Sequence, residues 1–222
     1  MIREITSYLD QHQVQLIAVS KTKSAEDILK IYQKGVRDFG ENRVQEMCSK
    51  YEQLPKDIRW HLIGHLQTNK VKYIIPFTYM IHSVDSLKLL REIDKQASKY
   101  NRTMDYLLQL HIAREETKFG FDFDECTALL QSDEWKKLQH VRLRGLMAMA
   151  TNTTDEQLIK QEFKQLQSYF NYLKKQFIND DKLRSFTELC IGMSNDYKIA
   201  IACGATMVRI GSLIFGERNY TM

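Results

Sequence analysis

The stretch Leu16-Ile17-Ala18-Val19-Ser20, followed at once by Lys21-Thr22-Lys23-Ser24, decides the fold. A short apolar run that ends at a helix-start signal predicts a buried strand, residues 16–20, and a helix beginning after Ser24. Lys21 then stands at the carboxyl end of the strand, where α/β folds place their functional groups. A desolvated lysine amine can act there as a Schiff-base nucleophile, whereas a surface lysine would simply extend into water. Position alone leaves both interpretations of Lys21 open.

The same pairing of an apolar strand with an amphipathic helix recurs along the chain. Further strands are predicted at residues 37–40, 60–63, 79–83, 104–111, 142–149, 187–191 and 207–211. Helical patterns lie at about residues 2–12 and at 25–34, 44–51, 86–100, 154–177 and 196–203. Eight strands alternating with helices, without a linker, predict a single α/β domain over residues 1–222, a parallel (β/α)8 TIM barrel. A doubly wound open sheet is the alternative. Since 222 residues are few for this barrel, we expect the final helix to be missing and the N-terminal helix to cover the gap.

The composition is that of an ordinary globular protein, with 43% hydrophobic and 27% charged residues. A net charge of +4, with lysines interleaved among acids, does not predict nucleic-acid binding. No apolar run approaches the roughly 20 residues that span a bilayer, and the N-terminus lacks a signal-peptide core, so a cytoplasmic location is expected. The cysteines, Cys48, Cys126, Cys190 and Cys203, are too far apart for a zinc motif and predict free thiols.

In a barrel, the groups that follow the strands meet at one end. They are Lys21, Glu41, Asn42, Gly64, His65, Ser83, Glu115, Thr151, Gly192-Met193-Ser194-Asn195 and Gly211-Ser212. The last two turns offer hydroxyl groups and backbone amides after strands 7 and 8, where barrels often hold phosphate, so a phosphate-bearing ligand is favoured. Gly192 and Gly211 would equally suit ordinary turns.

Arg209 lies inside the last predicted strand and shares the orientation of Gly211, two residues later. If that face lines the barrel, a charge replaces the expected branched apolar residue and needs a partner. A structural ion pair with Glu188 on the preceding strand is one interpretation, and a ligand contact is the other.

Nine segments, in this order, resemble the pyridoxal phosphate homeostasis proteins, a family similar to the barrel domain of alanine racemase that binds pyridoxal 5′-phosphate (PLP). They are residues 17–23 (IAVSKTK), 39–46 (FGENRVQE), 60–70 (WHLIGHLQTNK), 82–86 (HSVDS), 118–121 (KFGF), 144–149 (RGLMAM), 192–196 (GMSND), 204–211 (GATMVRIG) and 214–218 (IFGER). The sequence departs at Cys190-Ile191, where the family pattern has Ser-Met, and at His65, where proline is common.

The resemblance implies roles for individual residues. Lys21 would hold PLP as a Schiff base, the phosphate would lie near Ser194 and the backbone of Gly211 and Ser212, and Arg209 would face the pyridine nitrogen. Asn42 and Met193 fall in segments near the cofactor. No metal site and no catalytic residue are predicted. A cation opposite the ring nitrogen disfavours its protonation, which makes PLP a poorer electron sink.

We therefore expect a monomeric carrier that buffers PLP or delivers it to PLP-dependent apoenzymes without turnover, and an amino-acid racemase is the alternative. Two-base racemisation needs a group on each face of the reacting carbon. Alanine racemases bring the second base, a tyrosine, from a partner subunit in a region tied to an additional β domain. The sequence ends at Met222, and Tyr220 has no framework to place it, so no second base is expected. A Schiff-base aldolase would explain Lys21 and the phosphate turns but not Arg209.

Overall fold

Eight parallel strands close into a barrel in a computed structural model that describes residues 2–114, 119–177 and 179–216. The strands are β1 Gln15–Val19, β2 Asp38–Glu41, β3 Arg59–Leu62, β4 Thr78–Val84, β5 Met104–Gln109, β6 Val141–Met147, β7 Glu188–Met193 and β8 Met207–Ile210. Each strand pairs with the next, and β8 pairs with β1 from Met207 opposite Gln15 to Ile210 opposite Ala18. The predicted (β/α)8 barrel is thus confirmed, and the open sheet is excluded because no free edge remains.

Within the described residues, ten helices surround the strands. They are α1 Ile2–Gln11, α2 Ala25–Tyr32, α3 Val44–Gln53, α4 Val71–Ile74, α5 Leu87–Lys99, α6 Phe123–Gln131, α7 Asp133–Lys136, α8 Glu156–Gln176, α9 Tyr197–Ala202 and α10 Ser212–Phe215. Short 3-10 turns lie at Thr68–Lys70 and Asp181–Leu183. Side-chain caps fix several starts, since Ser24 accepts a hydrogen bond from the Asp27 amide and Ser86 accepts one from the Leu89 amide.

The apolar core has two parts. The larger part lies between the outer strand faces and the helices and includes Ala18 of β1. The adjacent Ile17 is fully buried as well, because a parallel sheet is covered on both faces. The second part is a separate inner cluster with one residue from each strand from β4 to β8. Its members are Met80, Leu107, Met147, Cys190 and Met207. Methionine therefore fills the interior where branched residues would be usual.

The N-terminal helix covers the barrel as predicted. Ile5 and Leu9 of α1 are buried in the larger core, and the Tyr8 ring contacts Tyr197 of α9 edge-on, with 6.0 Å between the ring centroids. The prediction that no helix follows the last strand is wrong, because the one-turn helix α10 directly follows Gly211. This turn forms because its apolar side chains, among them Leu213 and Phe215, pack partly buried against the larger core.

Helices α6 and α7 were not predicted, although the sequence contains their start signals. Asp122 and Glu125 form a reciprocal capping box, in which each side chain accepts a hydrogen bond from the other residue's backbone amide. Ser132 caps α7 through the Trp135 amide. Both helices are short, and their apolar spacing is therefore a weak signal.

Candidate functional site

A cavity of about 770 Å³ opens at the carboxyl ends of the strands. All seven residues predicted to bind a cofactor line it, namely Lys21, Asn42, Met193, Ser194, Arg209, Gly211 and Ser212. His65 and Thr151 also line the cavity. Glu41 and Ser83, which the strand-end pattern predicted to converge with them, are instead fully buried behind the wall. Glu115 and Tyr220 lie outside the described residues.

Lys21 lies in a tight turn that leaves the end of β1. The Lys23 amide donates to the Ser20 carbonyl at 3.0 Å, which closes the turn. The Lys23 ammonium donates to the Phe215 carbonyl at 3.1 Å and thereby ties this turn to the end of α10. Because β1 and β8 are neighbours in the closed barrel, the lysine turn and the turn after β8 share one wall of the cavity.

Asn42 is held in place by close packing of the loops after β2 and β3 against the end of β4. A Cβ atom at Gly64 would lie 2.4 Å from the Asn42 carbonyl oxygen, so the two backbones can approach only because residue 64 is glycine. The Ser83 hydroxyl donates to the Gly64 carbonyl at 2.6 Å and fixes the same loop from the other side. The side chain of Asn42 therefore faces the cavity from a rigid support.

The turn after β7 presents Met193 and Ser194 to the cavity. Gly192 has φ +92°, and a Cβ atom there would lie 2.5 Å from the Ala200 Cβ, so the turn requires glycine. The Asp196 carboxylate accepts a hydrogen bond from the Met193 amide at 2.5 Å. Burial raises the pKa of Asp196, and this bond and the Arg209 charge oppose the rise.

A hydroxyl and a backbone amide meet between the turns after β7 and β8. The Gly211 amide donates to the Ser194 hydroxyl oxygen at 3.2 Å, and Ser212 lies beside them on the cavity wall. A Cβ atom at Gly211 would come within 3.2 Å of the Val19 carbonyl, so the β8 turn lies close against β1. This small cup of polar donors is suited to an oxyanion.

Arg209 is buried at the base of the cavity, with 4% of its surface exposed. Its guanidinium donates to the carbonyls of Cys190 at 2.8 Å and Ala148 at 2.9 Å. The alternative ion pair with Glu188 is not formed. Strand register explains this, because Arg209 lies opposite Met193 at the carboxyl end of β7 whereas Glu188 is at the amino end, where it binds Arg144. Arg209 therefore keeps its charge beside the cavity.

A chain of hydrogen-bonded side chains, the interior polar chain, runs from Arg209 through the barrel. Its members, in order, are Arg209, Cys190, His82, His61 and Asp38. The successive distances are 3.1 Å from Arg209 Nη1 to Cys190 Sγ, 3.4 Å from Sγ to His82 Nδ1, 2.8 Å from His82 Nε2 to His61 Nδ1, and 3.0 Å from His61 Nε2 to Asp38 Oδ1. At the far end Arg59 donates to Asp38 at 2.7 Å.

Burial and hydrogen bonding shift the pKa values of groups in the interior polar chain. Arg209 can only donate, so the Cys190 sulfur accepts from it; a thiol proton donated to His82 Nδ1 and a proton on His82 Nε2 donated to His61 Nδ1 are one arrangement that satisfies these contacts. Burial raises the pKa of the Cys190 thiol and lowers that of His82 well below its ordinary 6.5; His61 and Arg209 lower the latter further. Burial alone would raise the pKa of Asp38, but hydrogen bonds from Arg59 and His61 outweigh it and lower that pKa to about 2. In the sequence, the interior polar chain could have been anticipated from a histidine inside each of two predicted buried strands, His61 and His82.

We expect His82 to make the folded state less stable in mild acid. Below about pH 6.5 the unfolded chain binds a proton at His82 that the folded protein excludes, so the free energy of unfolding falls by up to about 1.4 kcal/mol per pH unit. Above that pH neither state binds the proton and the term vanishes. Urea unfolding of His82→Asn between pH 7 and 5 should show a slope smaller by up to one proton. Equal slopes for His82→Asn and the wild type would contradict the prediction.

His65 forms a second polar feature of the cavity wall. Its Nδ1 lies 3.0 Å from Asp85 Oδ2, and its ring packs against Phe119 with 4.4 Å between the ring centroids. A carboxylate that holds one imidazole nitrogen fixes the orientation of the ring. His65, where the family pattern commonly has proline, therefore supplies an oriented imidazole beside the cavity.

In the part of the chain that the structure describes, no group of three or more His, Cys, Asp or Glu side chains is arranged to hold a metal ion. No helix among residues 2–114, 119–177 and 179–216 is both long and apolar enough to cross a membrane.

Comparison with known proteins identifies the family. The family model for the alanine racemase N-terminal domain matches residues 2–219. A protein of Aquifex aeolicus named pyridoxal phosphate homeostasis protein is 38% identical over 207 residues, which cover 93% of this chain and 88% of that one. The chain belongs to this family. A relative from Synechocystis with the same name is 40% identical over 211 residues, which cover 92% of this chain and 92% of that one.

Solved structures agree with the family and the fold. PipY of Synechococcus elongatus, solved with PLP bound, superposes with a TM-score of 0.85 at 36% identity, covering 97% of this chain and all of that one. An alanine racemase of Clostridium difficile superposes with a TM-score of 0.68 at 14% identity over 94% of this chain and 53% of its own. That second likeness shows the fold alone.

Proposed function

We propose that this chain binds PLP through Lys21 and serves in intracellular PLP homeostasis, by buffering the cofactor or delivering it to PLP-dependent apoenzymes. One observation carries the proposal: Lys21 and the polar cup of Ser194 and Gly211 line the same cavity. The family of the chain supports it, since relatives are named for this role and PipY was solved with PLP.

The groups on the cavity wall fit this cofactor. When bound, PLP supplies an aldehyde that condenses with a lysine amine and a phosphate that needs hydrogen-bond donors. Lys21 would hold the aldehyde carbon, and Ser194, Ser212 and the Gly211 amide would hold the phosphate. Asn42 and Met193, on the walls beside Lys21 and Ser194, would bound the ring.

Arg209 supports a carrier over a catalyst. Its guanidinium is held by the carbonyls of Cys190 and Ala148, so it presents a fixed positive charge at the cavity base. Facing the pyridine nitrogen, this charge would disfavour protonation of the ring and weaken its capacity to accept electrons. A monomer in the cytoplasm completes the proposal, and the four free thiols suit a reducing compartment.

An amino-acid racemase is the second candidate, and one observation favours it. His65, oriented by Asp85, lines the same cavity as Lys21 and could exchange a proton with a substrate carbon. The cavity would then hold a base besides the lysine.

Two measurements on the purified protein test the proposal. Added PLP should bind one per chain and become fixed to the protein by borohydride reduction, and peptide mapping should locate it at Lys21. Incubation of the PLP-loaded protein with L- or D-alanine and other amino acids should give negligible racemisation. Protein that binds no PLP contradicts the cofactor assignment, and turnover at about 1 to 1,000 per second would establish the racemase instead.

A further inference from the structure

Three charged side chains form a buried cluster, the Lys50 cluster, behind the turn that carries Lys21. Lys50 and Glu46 lie one turn apart on α3, and Glu41 ends β2. Lys50 and Glu41 are buried, and 24% of the Glu46 side chain is exposed. Removing these charges from water is costly, and an apolar trio would often be at least as stable, so stability alone does not account for the cluster.

The Lys50 ammonium uses all three of its N–H donors. It donates to Glu41 Oε1 at 2.7 Å and to Glu46 Oε1 at 2.6 Å. Its third donor goes to the backbone carbonyl of Ser20 at 2.8 Å. Ser20 is the residue immediately before Lys21, so the cluster reaches the main chain on one side of that lysine.

The two carboxylates also reach the lysine turn. Glu46 Oε1 accepts a hydrogen bond from the Thr22 amide at 2.6 Å, on the other side of Lys21. Glu41 Oε1 accepts one from the Ser20 hydroxyl at 2.6 Å. The residues before and after Lys21 are therefore both held by the same cluster.

Thr22 shows why such a hold is needed. Its φ is +67°, in the left-handed region that a β-branched residue rarely adopts. A conformation of this kind persists only where the surroundings enforce it. The hydrogen bond from the Thr22 amide to Glu46 provides that enforcement, and it fixes the direction in which Lys21 leaves the backbone.

We infer that Lys50, Glu41 and Glu46 are positioning residues that hold the Lys21 main chain so that its amine points into the cavity, ready for the cofactor aldehyde. The inference rests on the proposed function of Lys21. The three side chains lie outside the lining of the cavity, so they act through the Ser20–Thr22 turn and not by contact with PLP.

Amide hydrogen exchange of Thr22 in the cofactor-free protein tests the positioning directly. Glu46→Ala removes the acceptor at a partly exposed site, and exchange at Thr22 should become about tenfold faster or more, as expected for losing a hydrogen bond to a charged group. Glu46→Gln retains an acceptor oxygen and should restore most of the protection. Glu52→Ala, at an exposed position of the same helix, is the matched control and should leave Thr22 unchanged.

The second readout is the rate at which borohydride traps PLP on Lys21. Trapping should be about tenfold slower or more in Glu46→Ala and in Lys50→Met, and unchanged in Glu52→Ala. Unchanged Thr22 exchange in Glu46→Ala, or faster exchange with wild-type trapping, would overturn the inference. Failure of the proposed function is distinguishable, because then the wild-type protein itself traps no PLP at Lys21.

Discussion

Lys21→Ala is expected to abolish the covalent attachment of PLP, so that borohydride reduction leaves no cofactor on the protein. An alanine has no amine to condense with the aldehyde, and the ammonium of Lys23, which also lines the cavity, is held by the Phe215 carbonyl. Some reversible binding should remain, because the polar cup of Ser194 and the Gly211 amide is untouched. The fold should persist, since Lys21 is only partly buried in a surface turn.

The measurement is mass spectrometry of the reduced protein after incubation with PLP, with circular dichroism to verify the fold. Lys34→Ala is the control, because Lys34 is exposed at the end of α2 and away from the cavity lining. It should retain wild-type labelling. If Lys21→Ala keeps as much reducible PLP as the wild type, another amine holds the cofactor and the proposed role of Lys21 is wrong.

Gly145→Ala should be the most damaging single methyl group that can be added to the barrel wall. Gly145 pairs with Glu188 between β6 and β7, and a Cβ atom at residue 145 would lie 1.7 Å from the Glu188 carbonyl oxygen. Backbone cannot yield as a flexible side chain can, so the two strands must separate. We expect a loss of more than about 4 kcal/mol, a large part of the stability of a typical domain.

Gly35→Ala provides a contrast for urea unfolding measurements. Gly35 has φ +97°, but a Cβ atom there would meet nothing within 4 Å, so backbone strain alone should cost about 1 to 3 kcal/mol. Gly145 does not have a positive φ, and its cost is therefore steric. A Gly145→Ala protein no less stable than Gly35→Ala would contradict the close strand approach. Failure of Gly145→Ala to fold, with Gly35→Ala folded, would agree with the prediction.

Lys21→Ala and Gly145→Ala affect the same site in different ways. In the proposed function Lys21 would supply chemistry to a cavity that already exists, whereas Gly145 permits the strand spacing on which the cavity depends. Arg209 links the strand spacing to the cavity, because its guanidinium binds the Ala148 carbonyl just after β6 and the Cys190 carbonyl of β7. Distortion between β6 and β7 should therefore also displace the charge at the base of the cavity.

Local patterns were sufficient for much of this site. Alternation along a strand has a period of two residues, which predicted that Arg209 shares the orientation of Gly211 but left open whether that face lines the barrel. In the structure Arg209 faces the interior, where its guanidinium binds the Cys190 carbonyl. The hydrogen-bond partner of Arg209 could not be predicted from such a pattern. Whether Glu188 or the Cys190 carbonyl lies within reach depends on the register between β7 and β8, and no local pattern contains that register.

The Lys50 cluster and the interior polar chain escaped prediction for a related reason. A lysine four residues after a glutamate on a helix usually indicates a solvated pair, and only the packing of α3 on β2 buries Lys50. His61 and His82 lie on neighbouring strands, and their contact requires both side chains to point into the barrel. Burial and pairing of polar groups are properties of the assembled sheet.

By itself the sequence determined the order of the eight strands, the position of Lys21 at the end of β1, and the motifs that mark the family, because periodicity and short motifs are local. Only the tertiary structure decided that β8 closes on β1, so that Lys21 and Gly211 share one wall. It also decided which groups hold Arg209 and Thr22. These contacts join residues far apart in sequence, and the packing of the whole barrel selects them.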